Sequence, residues 1–141
     1  MSEEITFLQF DPEVEKRPVL PAGNYGADGN TVLDKVQQRP APWDGNRQSV
    51  NFQILVRDPE HGVVRVFQDL GLDPGSQVPR WMRQLGMSDD EMRAGFDAND
   101  LKGMKVIATL GIQEFISKKE LDEAGRPRRF QKNTIENLVK F

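Results

Sequence analysis

Apolar and polar residues alternate cleanly over SVNFQILV, where Val50, Phe52, Ile54 and Val56 share one side and Asn51, Gln53, Leu55 and Arg57 the other. A period of two with one apolar side predicts a half-buried β-strand. The turn Arg57-Asp-Pro-Glu-His-Gly62 follows. VVRVFQDL then alternates again, with Val64, Val66 and Leu70 opposed to Val63, Arg65 and Phe67. Two such runs joined by a short turn predict a β-hairpin. Beyond it the period changes. Val78, Trp81, Met82 and Leu85 fall at helical spacing and stop at Gly86. Trp81 is accordingly expected in the core. Ser88-Asp-Asp-Glu91 reads as a capping box for a second short helix, with Met92 and Phe96 on its apolar side.

The flanking segments complete the order. Residues 1–20 predict an irregular N-terminal extension, interrupted at Pro12 and Pro18, in which FLQF forms a short edge strand or a clip. Residues 21–141 predict the folded domain. A first strand is expected around Tyr25 to Val36, with Gly26 and Gly29 marking a bulge or a sharp bend. VQQRPAPWDGNRQ (36–48) has no periodicity and carries Pro40, Pro42 and the Asp44-Gly45 turn signal, so it predicts a long loop. Residues 97–103 predict another loop. MKVIATLGIQEFI is rich in β-branched residues and predicts a fourth strand. SKKELDEAGRPRR predicts a charged loop, and RFQKNTIENLVKF a final strand with room for a short terminal helix.

Five strands with a helical insertion after the third predict an all-β, OB-like Greek-key barrel, in which the helices between strands 3 and 4 plug one end. In that fold the loops after strands one and four flank the face of strands two and three. The first loop carries Arg39, Trp43 and Arg47, the second Lys118, Lys119, Arg126, Arg128 and Arg129, with Lys132 just beyond, and the outward faces carry Asn51, Gln53, Arg57, Arg65 and Phe67. Trp43 has two readings: a plug folded back on the core, or an exposed platform on which an unpaired base stacks while arginines meet its phosphates. The gathering of cations around it favours the platform.

Composition sets limits on the chemistry. The chain has 141 residues, 37% hydrophobic and 29% charged, which suits one globular domain. No apolar run reaches the ~20 residues of a membrane helix, and MSEEITFLQF has neither the basic region nor the apolar core of a secretory signal. With no cysteine, disulfides, thiolate zinc sites and thiol nucleophiles are excluded, which fits a reducing cytoplasm. His61 is the single histidine, so a multi-histidine metal site is excluded too, and its place in the turn makes it a surface residue. Net charge is −3, but unevenly spread. Residues 68–101 hold seven acids and three bases, whereas residues 117–141 hold seven bases and four acids. The acidic stretch is expected on the helical insertion, away from the basic face. Stacking on a ring reads no donor pattern, so weak sequence preference is expected.

Five stretches together resemble a known family: LPAGNY, FQDLGL, WMRQLGM, FDANDLKGMKVIATLGIQEF and KNTIENLVKF. They are similar to those of short phage-encoded single-stranded-DNA-binding proteins, a family long described only as a domain of unknown function. The resemblance spans Leu20 to Phe141 and implies an OB-like fold that coats single strands during phage DNA replication and recombination, in the cytoplasm of the bacterial host. It implies no catalytic residue and no cofactor. The expected partners are single-stranded DNA, with phage or host replication and recombination proteins and a homodimer as further candidates, and no membrane. The ending ENLVKF is not the acidic recruiting tail of bacterial single-stranded-DNA-binding proteins. Two rivals stand beside this reading. One is a protein-interaction module of a phage replication or assembly complex, with Trp43 as its hot spot. The other is a nuclease built on Asp28, Asp34, Asp97 and Asp100, for which the carboxylate spacing offers little support. The expectation is a protein that is not an enzyme.

Overall fold

The computed structural model describes residues 18–121 and 124–141, without the side chains of 115, 117–121, 127 and 128. FLQF and the rest of the expected N-terminal extension up to residue 17 lie outside the described residues.

Among the described residues, two three-stranded antiparallel sheets make up the fold. One orders its strands β2-β3-β4 (Thr31–Ala41, Asp44–Asp58, Gly62–Gly71). The other is β1-β5-β6 (Gly23–Tyr25, Val106–Leu121, Pro127–Lys140). Between β4 and β5 come α1 (Val78–Gln84), α2 (Asp89–Ala94) and a 3-10 turn (Ala98–Leu101). The five long strands and the helical insertion after the third of them follow the expected order. The expected barrel is not a closed hydrogen-bonded cylinder here. The two sheets touch at the start of β2, where the Leu33 amide donates to the Met104 carbonyl, the Gly103 amide donates to the Leu33 carbonyl, and Val32 bridges Lys105. They touch again where the Ile135 amide of β6 donates to Gln68 Oε1 of β4 at 3.3 Å.

The alternation over 50–57 is observed as read. Val50, Phe52, Ile54 and Val56 are buried, joined from β4 by Val64 and Val66. Trp81 of α1 drops fully into this core and its ring meets Phe52 with centroids 5.1 Å apart and planes tilted at 59°. The tilted arrangement is the one that aromatic quadrupoles favour. Met82 and Leu85 follow it inward. The capping box at α2 is complete: Ser88 Oγ accepts from the Glu91 amide, and Glu91 Oε1 from the Ser88 amide. Phe96, however, lies past the Gly95 cap and is exposed, so only Met92 of that pair packs on the core.

Three expected loops or ends are strands. The 36–48 stretch forms the closing half of a long β2–β3 hairpin, with the turn at Pro42-Trp43. Pro40 is tolerated because, among the described residues, β2 at that end has a neighbour on one side only, so its missing N–H leaves no ladder bond unmade there. SKKELDEAGRPRR is largely the two arms of a β5–β6 hairpin, with Pro127 opening its strand, where a ladder donor is dispensable. The last segment stays a strand to Lys140 and forms no terminal helix.

LPAGNY and KNTIENLVKF are joined through Leu20 and Asn133. Asn133 pairs with Leu20 as a strand would: Oδ1 accepts the Leu20 amide at 2.8 Å and Nδ2 donates to the Leu20 carbonyl at 2.8 Å and to the Gly111 carbonyl at 3.1 Å. Leu20 itself is fully buried. Gly26, at φ +110°, lies so close to the Val106 carbonyl that a β-carbon there would collide with it.

Candidate nucleic-acid interface

The β2-β3-β4 sheet turns one face to the core and the other to solvent. Register places the outward residues in rows across three strands: Arg57 opposite Val63, Leu55 opposite Arg65, Gln53 between Lys35 and Phe67, Asn51 between Gln37 and Asp69, and Ser49 between Arg39 and Gly71. Arg39, Arg47, Arg57, Arg65 and Phe67 therefore share one sheet, with Trp43 in the turn that joins β2 to β3. Arg126, Arg129 and Lys132 belong to the other sheet, on or at the end of the β5–β6 arm. Lys118, Lys119 and Arg128 have strand backbones on that arm, and their side chains are outside the described ones.

Trp43 is 55% exposed at the tip of the β2–β3 hairpin, which excludes the core plug. Its indole edge lies over Gly71, 3.4 Å from where a β-carbon would stand. The bare glycine gives the ring a flat seat. Phe67, 41% exposed, points from the same face of β4. Four residues of strand separate Phe67 from Gly71, about 13 Å at ~3.3 Å per residue.

The arginines are not equally available. Arg39 on β2 reaches across β3 to Asp69 on β4 and holds it with two bonds, Nε to Oδ1 at 3.1 Å and Nη2 to Oδ2 at 2.9 Å. Arg65 on β4 reaches back across β3 to Asp34 on β2 at 2.6 Å and donates to Gln53 Oε1 at 2.8 Å. Two diagonal straps of opposite sense thus cross the middle strand. Ser49 and Asn51, on this outward face, are completely buried. The strap of Arg65 continues through Gln53 Nε2, which donates to Asn51 Oδ1 at 2.8 Å. The Asn51 amide nitrogen then has no acceptor among the described residues. Asp34 can make its reach because the β2 register shifts between Leu33 and Lys35. The planar, two-point pairing of Arg39 with Asp69 is what a guanidinium offers and a lysine does not.

Arg47 is held more loosely, at 3.6 Å from Asp44 and 3.5 Å from Asp73, with all three side chains well exposed. Arg129 pairs with Glu114 at 3.5 Å in a similarly exposed setting. Exposed pairs of this kind contribute little and exchange readily for another anion. Arg57 has no carboxylate within ion-pair reach among the described residues. At the adjoining turn, Asp58 accepts from His61 Nδ1 at 2.8 Å and from the backbone amides of Glu60 and His61. The bond from His61 does most to hold its carboxyl below the usual range.

The acidic stretch is not wholly remote from this face. Asp69 and Asp73 are on it, paired with Arg39 and Arg47, so the expected separation of charge holds only for the helical acids. No protein-family model matches the chain, and no curated protein matches it. Three of the four aspartates of the nuclease reading use their carboxylates locally: Asp34 binds Arg65, Asp28 Oδ1 accepts the Asn30 amide, and Asp97 caps the 3-10 turn. Among the described residues no three carboxylates or histidines gather as a metal site, and no helix is long and apolar enough to cross a membrane.

The Arg39–Asp69 strap sets up a test. Asp69→Asn releases Arg39 and removes a negative charge from the face. On the single-strand reading, affinity for a dT oligonucleotide should rise several-fold, with a steeper salt dependence by about 0.7 in log–log slope for one added phosphate contact. Stability should fall by about 1–3 kcal/mol, because the half-buried guanidinium loses its charged partner. Titration at two salt concentrations and a thermal melt read both, and a fall in affinity would contradict the strap's role.

Proposed function

We propose that this protein binds single-stranded DNA without strong sequence preference, by stacking bases on Trp43 and Phe67 and meeting phosphates with arginine. The observation that carries the reading is the indole of Trp43, more than half exposed on a hairpin tip and seated on Gly71, beside the loosely held Arg47. A large ring left in water at a hairpin tip, with a cation on the same hairpin, is suited to an unpaired base and its phosphate. The scaffold is an OB-like barrel in this proposal, its two sheets meeting through Leu33 with Gly103 and Met104, and through Gln68 with Ile135. OB barrels bind oligonucleotides on the face that corresponds to β3 and β4. The setting proposed is phage DNA replication and recombination, as the resemblance implies.

Two observations favour the rival reading of a protein-interaction module. Ile112 and Ile116 are exposed on β5, and Arg39 and Arg65 of the face are firmly held by Asp69 and Asp34. A titration separates the two. Adding dT of about 30 nucleotides should quench tryptophan emission strongly at low salt and less at high salt. Absence of both quenching and a mobility shift at low salt would remove the single-strand reading and leave the interaction module.

A further inference from the structure

At the opposite end of the sheet from Trp43, a surface pocket of about 410 Å³ opens between the start of β2 and the β3–β4 end. Val32, Leu55 and Val63 give it an apolar floor, and Asp28, Asn30 and Arg57 surround that floor. We infer that this pocket is a second nucleotide subsite, in which a base lies on the apolar floor and its phosphate meets Arg57. The inference rests on the single-strand reading and extends it along the sheet.

Three features support it. Arg57 is the one outward arginine of this sheet with no carboxylate pair among the described residues, whereas Arg39 and Arg65 are bound by Asp69 and Asp34. A cation left unpaired beside an apolar floor is available to an anion from outside. The pocket wall is also built rather than loose. The Arg57 amide donates to the Asn30 carbonyl at 2.9 Å, Asn30 Nδ2 donates to the Arg57 carbonyl at 3.0 Å, and Asp28 in turn caps the Asn30 amide. Finally, Val63 is 61% exposed, an apolar side chain kept in water where a ring can cover it. Asp28 carries like charge to phosphate, which directs the phosphate to the Arg57 side. The volume is of the size that small ligands occupy.

The two ends are far apart. Arg47 and Arg57 are ten residues apart on β3, about 33 Å at ~3.3 Å per residue. Between them the straps leave a nearly neutral saddle with Phe67. A strand bound at both ends must span that distance, roughly ten nucleotides at the ~3.4 Å duplex spacing and fewer when stretched.

The test is a length series of dT oligonucleotides, from about 4 to 30 nucleotides, against the full chain and the variants Arg57→Ala and Val63→Asp. Affinity of the unsubstituted protein should step up once the strand is long enough to reach both ends. In both variants that step should disappear, with dT of 30 nucleotides bound about 5- to 50-fold more weakly, while the shortest oligonucleotides bind as before. Arg57→Ala should also lower the salt slope by about 0.7. Arg57→Lys should keep most of that slope. Both positions are exposed, and unchanged emission from the buried Trp81 reports that the fold is intact. If the variants bind the long strand as the parent does, with the same step and slope, the subsite is wrong and the Trp43 interface stands. If the parent protein itself neither quenches nor shifts, both fall together.

Discussion

Trp43→Ala should weaken binding of single-stranded DNA by about 1–3 kcal/mol, roughly 5- to 150-fold, with little change in stability. Fluorescence makes this readable in one cuvette. The chain has two tryptophans, and they differ completely in setting. Trp43 is on a hairpin tip in water, and Trp81 is fully buried against Phe52. Any quenching by DNA must therefore come from Trp43, and the variant keeps Trp81 as a silent reporter of folding. Because Trp43 rests on Gly71 and fills no cavity, its removal leaves no hole in the core. Loss of quenching with retained affinity, measured independently by mobility shift, would show that the ring lies near the DNA without stacking on it.

Trp81→Ala should have the largest effect on stability. Trp-to-Ala substitutions in cores cost about 3–5 kcal/mol, a large part of the ~5–15 kcal/mol that holds a domain together. At this chain length the midpoint of thermal unfolding should fall by roughly 10–25 °C. Trp81 joins α1 to the β3 side of the core, so its loss removes the contact with Phe52 and leaves Val78, Met82, Leu85 and the Gln84 bonds to β6 to hold the helix. Trp81→Phe should cost much less. It keeps a ring against Phe52 and removes an indole N–H that is buried without an acceptor among the described residues. Circular dichroism melts of the two variants distinguish them. Equal losses in both would mean that the pair with Phe52 contributes little.

The inward and outward sides of β3 and β4 were legible because each strand has one apolar and one polar side, which a period of two exposes. Trp81 and the Ser88 capping box were legible for the same local reason. The β2–β3 hairpin tip was not. Pro40 and Pro42 read as loop residues, and nothing in the local sequence says that β2 ends as an edge strand where a proline does no harm. The charged SKKELDEAGRPRR stretch hid two strand arms behind its composition. Hardest to foresee were the straps. Arg39 with Asp69 and Arg65 with Asp34 are 30 and 31 residues apart. Their meeting depends on the register of three strands and on the irregularity at Asp34, none of which is written in either residue's neighbourhood. Counting charges along the chain therefore overstated how many cations this face has to spare.

The clasp between Leu20 and Asn133 also orders events in time. The two residues are 113 positions apart. At ~5–20 residues per second, a ribosome needs roughly 6–23 s to make the second after the first. The β2-β3-β4 meander, whose contacts are closer in sequence, can assemble during that interval with its core side still uncovered. β1 finds its partner when β5 is made, and Leu20 is secured only when β6 arrives to complete the second sheet. Contacts of such long range place the final folding step in the slow, millisecond-to-second class. The nascent meander is thus the species that the cell must shield from aggregation.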